Sequence, residues 1–111
     1  MAVLNITSLT RAGLEPSTVG AAADVAGDKW VNTGTELVLV HNGGGSSITI
    51  TLTYGLGGSV DGSVLTPKTV AVPAGKTSLI GPFPTGLYND ANGQAGITYS
   101  SVTSVKTLVV R

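Results

Sequence analysis

Cysteine is absent from this 111-residue chain, which excludes a disulfide framework and any thiolate metal site. Charge is nearly as scarce. Asp, Glu, Lys and Arg make up 11 % of the residues, against about 25 % in ordinary soluble domains. The six acids cancel the six bases, so no long-range field draws the chain to nucleic acid or to an anionic membrane. Arg11, Lys29, Lys68, Lys76, Lys106 and Arg111 are scattered and form no basic stripe. A composition this poor in charge predicts a surface that is partly covered in use. The alternative is a Ser/Thr/Gly surface solvated well enough without charge. No apolar run approaches the ~20 residues that cross a bilayer as a helix. The opening Met1-Ala2-Val3-Leu4-Asn5 has no basic segment followed by an apolar one, so the chain is expected to be made as a soluble protein without a secretory address.

Catalytic groups are equally sparse. His41 is the sole histidine, it ends a strand pattern, and no nucleophile–base–acid order surrounds it. Glu15 and Glu36 lie in unrelated segments, so no carboxylate pair stands out for acid–base work. Ala74-Gly75-Lys76-Thr77 imitates the end of a phosphate-binding loop. Val70, however, stands where that loop needs its first glycine, and Thr77–Ile80 reads as strand where it needs helix. Asn89-Asp90-Ala91-Asn92-Gly93 has the flavour of a calcium loop. Counted from Asp90, its fifth, sixth and twelfth positions are Gln94, Ala95 and Ser101, whereas an EF-hand needs Asp or Asn, Gly and Glu there. Asp24 and Asp28 alone are too few ligands. The expectation is a chain with no catalytic residue, no cofactor and no metal.

What is present is alternation. From Glu36 to Tyr54 two period-two runs flank Gly43-Gly44-Gly45-Ser46-Ser47, and the second sets Ile48, Ile50, Leu52 and Tyr54 against Thr49, Thr51 and Thr53. Side chains on a strand alternate faces. The threonines are therefore expected on a face turned to solvent or to another subunit, opposite the core. The stretch reads as an antiparallel hairpin, its glycines allowing positive φ in the loop.

Further strands are predicted at Asp28–Val31, Lys68–Val72, Lys76–Ile80, Ala95–Ser100 and Val105–Arg111. The last is apolar on both faces and so is expected to be central or covered. Pro73-Ala74-Gly75-Lys76 is a turn with Pro73 at its first central position, and Gly55–Gly62 a flexible stretch between strands. Val19–Ala26 is the only helix candidate, too short to be stable alone. Seven or eight short antiparallel strands with Gly/Pro/Asn turns point to an all-β fold, a β-sandwich or jelly-roll-like barrel. Residues 20–111 form that single domain, and residues 1–19 are an N-terminal arm or first strand.

The blocks AGDKWVNTGTELVLVHNGG (Ala26–Gly44), VPAGKTSLIGPFP (Val72–Pro84) and YNDANGQAGITYSSVTSVKTLVV (Tyr88–Val110) resemble a group of small proteins encoded with the head genes of tailed bacteriophages and prophages. The resemblance implies a non-enzymatic virion structural protein that decorates or cements the capsid. Such a protein, made in the host cytoplasm, binds between major capsid subunits and self-associates, with a trimer favoured. It binds no nucleic acid, membrane or small-molecule substrate. A head–tail connector or tail component is the nearest rival. An Ig-like or carbohydrate-binding module on the virion surface is another. Contact residues are expected in the first nine residues, where an extended arm with Val3, Leu4, Ile6 and Leu9 can add a strand to a neighbour's sheet. The threonine face (Thr49, Thr51, Thr53) is a second candidate. Trp30 is read either as a contact residue or as part of the core.

Overall fold

The computed structural model describes residues 2–111, apart from the Val60 side chain. Its strands are β1 (Ala2–Val3), β2 (Ile6–Thr7), β3 (Ala21–Ala22), β4 (Asp28–Val31), β5 (Leu37–Asn42), β6 (Ile48–Thr53), β7 (Ser59–Val60), β8 (Ser63–Val64), β9 (Lys68–Val72), β10 (Thr77–Ile80), β11 (Gln94–Tyr99) and β12 (Val105–Val110). Two single helical turns, α1 (Pro16–Val19) and α2 (Thr85–Tyr88), complete it. One sheet runs β1-β4-β11-β6-β9 and the other β10-β5-β12-β2, with β3 also on β12. The two pack as an all-β sandwich. Its shortest dimension is 19 Å, the thickness of two sheets about 10 Å apart plus their outer side chains. Most pairs are antiparallel, but β1 lies parallel to β4 and β2 parallel to β12.

The predicted hairpin over Glu36–Tyr54 does not form. Its strands exist, yet β5 pairs with β10 and β12, while β6 pairs with β11 and β9. The segment is an arch from one sheet to the other. Alternation looks the same in both cases, because each strand has one apolar face whether its partner lies beside it or opposite. Here Val38 and Val40 face Ile48, Ile50 and Leu52 across the core. Five loop residues suffice to bridge ~10 Å. None of Gly43, Gly44 and Gly45 has positive φ. A Cβ on Gly43 would stand 3.0 Å from the Ser104 carbonyl oxygen, so close approach is what that glycine allows.

A second arch lies beside the first. β9 and β10, though adjacent in sequence, belong to different sheets. The Lys76 N–H donates to the Pro73 carbonyl at 3.1 Å, so Pro73 opens the turn instead of occupying its first central place. Gly75 takes the left-handed position at φ 73°.

Other expectations change similarly. Val19–Ala26 is not helical: α1 ends at Val19, and Ala21–Ala22 pairs with β12 instead. The Gly55–Gly62 stretch is tied to α2 by bonds from the Gly55 and Leu56 N–H groups to the Leu87 and Asn89 carbonyls. A Cβ on Gly55 would lie 2.0 Å from the Asn89 oxygen. It then turns into the β7–β8 hairpin. Strand β12 is central. Val105 and Val109 enter the core, and Leu108 and Val110 are buried too, on the side of the sheet where α1 lies against β12.

Candidate functional site

The N-terminal segment is used within the chain's own sandwich. β1 adds to the edge of one sheet and β2 to the other, so the first residues bridge both layers. Leu4 and Ile6 pack against the core, while Val3 and Leu9 remain exposed. Trp30 is wholly buried, edge-on to Phe83 with ring centroids 5.1 Å apart. Of its two readings, burial selects the core: on β4 it shares the inward face with Asp28 and leaves no exposed surface of its own.

Thr49, Thr51 and Thr53 occupy the face of β6 opposite Ile48, Ile50 and Leu52, and Thr49 is exposed. Register extends their row. Thr98 on β11 and Thr69 on β9 both pair with Thr51 and stand on the same face. This broad face carries hydroxyls, Ala71, Gly96 and Gln94 across three strands, and charge enters toward β4, where Lys29 and Asp90 line a small hollow with Thr53 and Gly96. At one end it runs into a hollow of about 350 Å³ lined by Thr51, Thr53, Tyr54, Leu56, Val64 and Leu65. Leu56 and Val64 project beside it, 77 % and 84 % exposed.

The buried polar groups are structural ties. Glu36 is fully buried, accepts bonds from the Thr33 N–H at 2.6 Å and Thr33 Oγ1 at 2.7 Å, and meets Arg111 at 3.2 Å. Burial pushes its carboxyl up, but these donors outweigh burial and hold it below the usual range. Buried Asp28 accepts the Tyr99 hydroxyl at 2.6 Å, and that hydroxyl also lies 2.6 Å from Thr107 Oγ1 on the other sheet. Burial, and then the bond to Asp28, push the Tyr99 hydroxyl far up. Asp28 Oδ1 and Trp30 Nε1 have no hydrogen-bond partner among the described residues.

His41 Nδ1 lies 2.9 Å from Thr77 Oγ1 on the outer side of the other sheet. Lys106 is its strand neighbour. The Asp90 carboxylate accepts the Asn92 and Gln94 N–H groups at 2.8 and 3.1 Å, and those bonds hold it below its ordinary value. No three His, Asp or Glu side chains come together as a metal cluster among the described residues. Lys76 is followed by strand β10, not by a helix N-terminus.

Asn42, Glu36 and Tyr99 were not singled out by sequence reasoning. The available signal was a polar residue on the apolar phase of a strand, which Asn42 shows after Val38 and Val40. No family model, curated protein or solved structure matches the chain.

Proposed function

We propose that this chain is a non-enzymatic structural protein of a tailed-phage virion, decorating or cementing the head by binding between major capsid subunits. The observation that carries the reading is the wide face of β9, β6 and β11, whose strands present no charged side chain there, with Thr49, Thr51, Thr53, Thr69 and Thr98 in one array. Such a face tolerates water and can be covered without desolvating a charge, which is the expensive step in forming an interface. The sandwich behind it is braced by polar ties between its layers, as a part that resists outward pressure requires. Glu36, Asn42 and Tyr99 are committed to such ties, and this supports a binding role. The resemblance of the Ala26–Gly44, Val72–Pro84 and Tyr88–Val110 blocks to phage head-gene products supports the same class.

The test is co-sedimentation of the purified chain with empty heads assembled from the major capsid protein encoded beside it, followed by cryo-EM of the heads. Saturable binding that Thr51→Glu and Thr98→Arg weaken, with unfolding midpoints unchanged, supports the reading. Tail genes on both sides, or heads that stay bare, would sink it. The hollow beside Tyr54 favours one second reading, a carbohydrate-recognition module. A glycan array with saturable binding lost in Tyr54→Ala would favour that instead.

A further inference from the structure

Each sheet of a sandwich ends in two edge strands whose outward N–H and C=O groups can recruit another strand unless the edge is short or guarded. Three edges here are. β1, β2 and β3 are two residues each. β9 is flanked by Pro67 and Pro73, and Lys68 pairs with inward-facing Leu52, so it points a charge to the inner side of that edge. The fourth edge, β10 (Thr77–Ile80), has no charge and no proline within it, Lys76 and Pro82 lying just outside its ends, and Leu79 is 62 % exposed.

The hydrogen-bond phase of β10 follows from its register. The Asn42 N–H donates to the Lys76 carbonyl at 2.9 Å, and Thr77, Ser78, Leu79 and Ile80 then pair with His41, Val40, Leu39 and Val38. Antiparallel pairs alternate between bonded and non-bonded. Ser78 and Ile80 thus bond to β5, while Thr77 and Leu79 turn their N–H and C=O groups outward. No backbone partner reaches those groups among the described residues.

We propose that this edge pairs with the same edge of a second copy of the chain. Outward groups on residues two apart are self-complementary about a two-fold axis through Ser78. Thr77 of one copy bonds Leu79 of the other, and the reverse, which gives four main-chain bonds in an isologous contact. The row Leu108–Leu39–Leu79 on the outer face then continues into the second copy. The nearest charges, the two Lys76 side chains, lie about four strand steps apart, roughly 13 Å, which exceeds the screening length of about 8 Å at physiological salt. A four-residue edge buries far less than the ~1,200 Å² of a standard interface, so the association is weak and concentration-dependent. The pairing does not depend on the virion reading.

Sedimentation velocity from micromolar to millimolar concentration tests it, with amide exchange at Thr77 and Leu79 followed in parallel. The expected result is a shift from 11.0 kDa toward twice that mass, with both amides gaining protection as the mass rises. Leu79→Lys and Leu79→Glu should each weaken association roughly tenfold, because the two copies of position 79 are diagonal neighbours and like charges there repel. Mixing the two variants should restore the dimer, an effect that damage to the fold could not produce. A wild-type chain monomeric throughout overturns the pairing. So does an oligomer, trimer included, whose mass the Leu79 variants leave unchanged. Neither result bears on head binding, which co-sedimentation reads separately.

Discussion

The side-chain amide of Asn42 donates to the main-chain carbonyl of Val72 at 3.0 Å, and this bond ties together two of the arches by which the chain passes between its sheets. Asn42 ends β5 and Val72 ends β9, strands of opposite layers. The same amide donates to the Ser46 carbonyl at 2.8 Å, and Asn42 Oδ1 accepts the Gly44 N–H at 3.0 Å. The main chain of Asn42 adds bonds to Gly75 and Lys76 in the second arch. One buried side chain thus satisfies the polar groups of two crossings that have no sheet ladder of their own.

Replacing Asn42 by Ala should therefore cost about 2–4 kcal/mol, since it strands buried carbonyls as well as losing bonds. Urea unfolding reads this as a lower midpoint with an unchanged slope. Asn92→Ala, at an exposed turn, should stay within about 0.5 kcal/mol.

Glu36 should make stability depend on acid. Its folded carboxyl lies below the ordinary value because its donors outweigh burial. The contribution is whole above the unfolded value of about 4.3 and is lost as pH falls through the folded value. Unfolding midpoints measured downward from pH 7 should drop in that window, and Glu36→Gln should flatten the drop. A wild-type profile identical to that of the Gln variant would show that Glu36 contributes nothing of the kind.

Tyr99 should resist ionisation. In the unfolded chain its hydroxyl releases a proton near pH 10, while the folded chain retains it through burial and the Asp28 bond. Stability should fall as pH rises past about 10. In an ultraviolet titration, the Tyr99 phenolate should form only as the protein unfolds. Tyr99→Phe removes the hydroxyl that reaches both sheets and should cost about 1–3 kcal/mol at neutral pH.

The two faces of β6 should respond oppositely to truncation. Ile50→Ala empties core volume and should cost about 2–5 kcal/mol. Thr51→Ala should remain within about 0.5–1 kcal/mol, because its hydroxyl lies outside the core. Equal losses at the two positions would contradict the register.

Deleting residues 1–12 removes β1 and β2 and uncovers the surface that Leu4 and Ile6 shield. A loss of about 2–3 kcal/mol is expected from the apolar area involved, seen as a lower thermal midpoint. A truncated chain that still occupies heads fully would exclude the N-terminal segment from capsid contact.

Composition and period-two patterning, read alone, determined that this chain is all-β, where its main strands lie, and which face of each is apolar. Ile48, Ile50 and Leu52 are buried, and Thr49, Thr51 and Thr53 stand opposite, because alternation is a local property of an extended backbone. The sparse charge, too, was plain without coordinates. Which strand lies beside which was decided only by the tertiary structure. Leu37–Asn42 and Ile48–Thr53 read as a hairpin, yet they face each other across the core, since an apolar face can be buried by a layer opposite as well as by folding within a sheet. The same packing placed Trp30 inside, drew the first residues onto both sheets and left Thr77–Ile80 as an open edge. Those outcomes depend on partners distant in sequence. The role of Asn42 belongs with them: it ends a strand like many asparagines, and only the meeting of two arches makes it the residue that joins them.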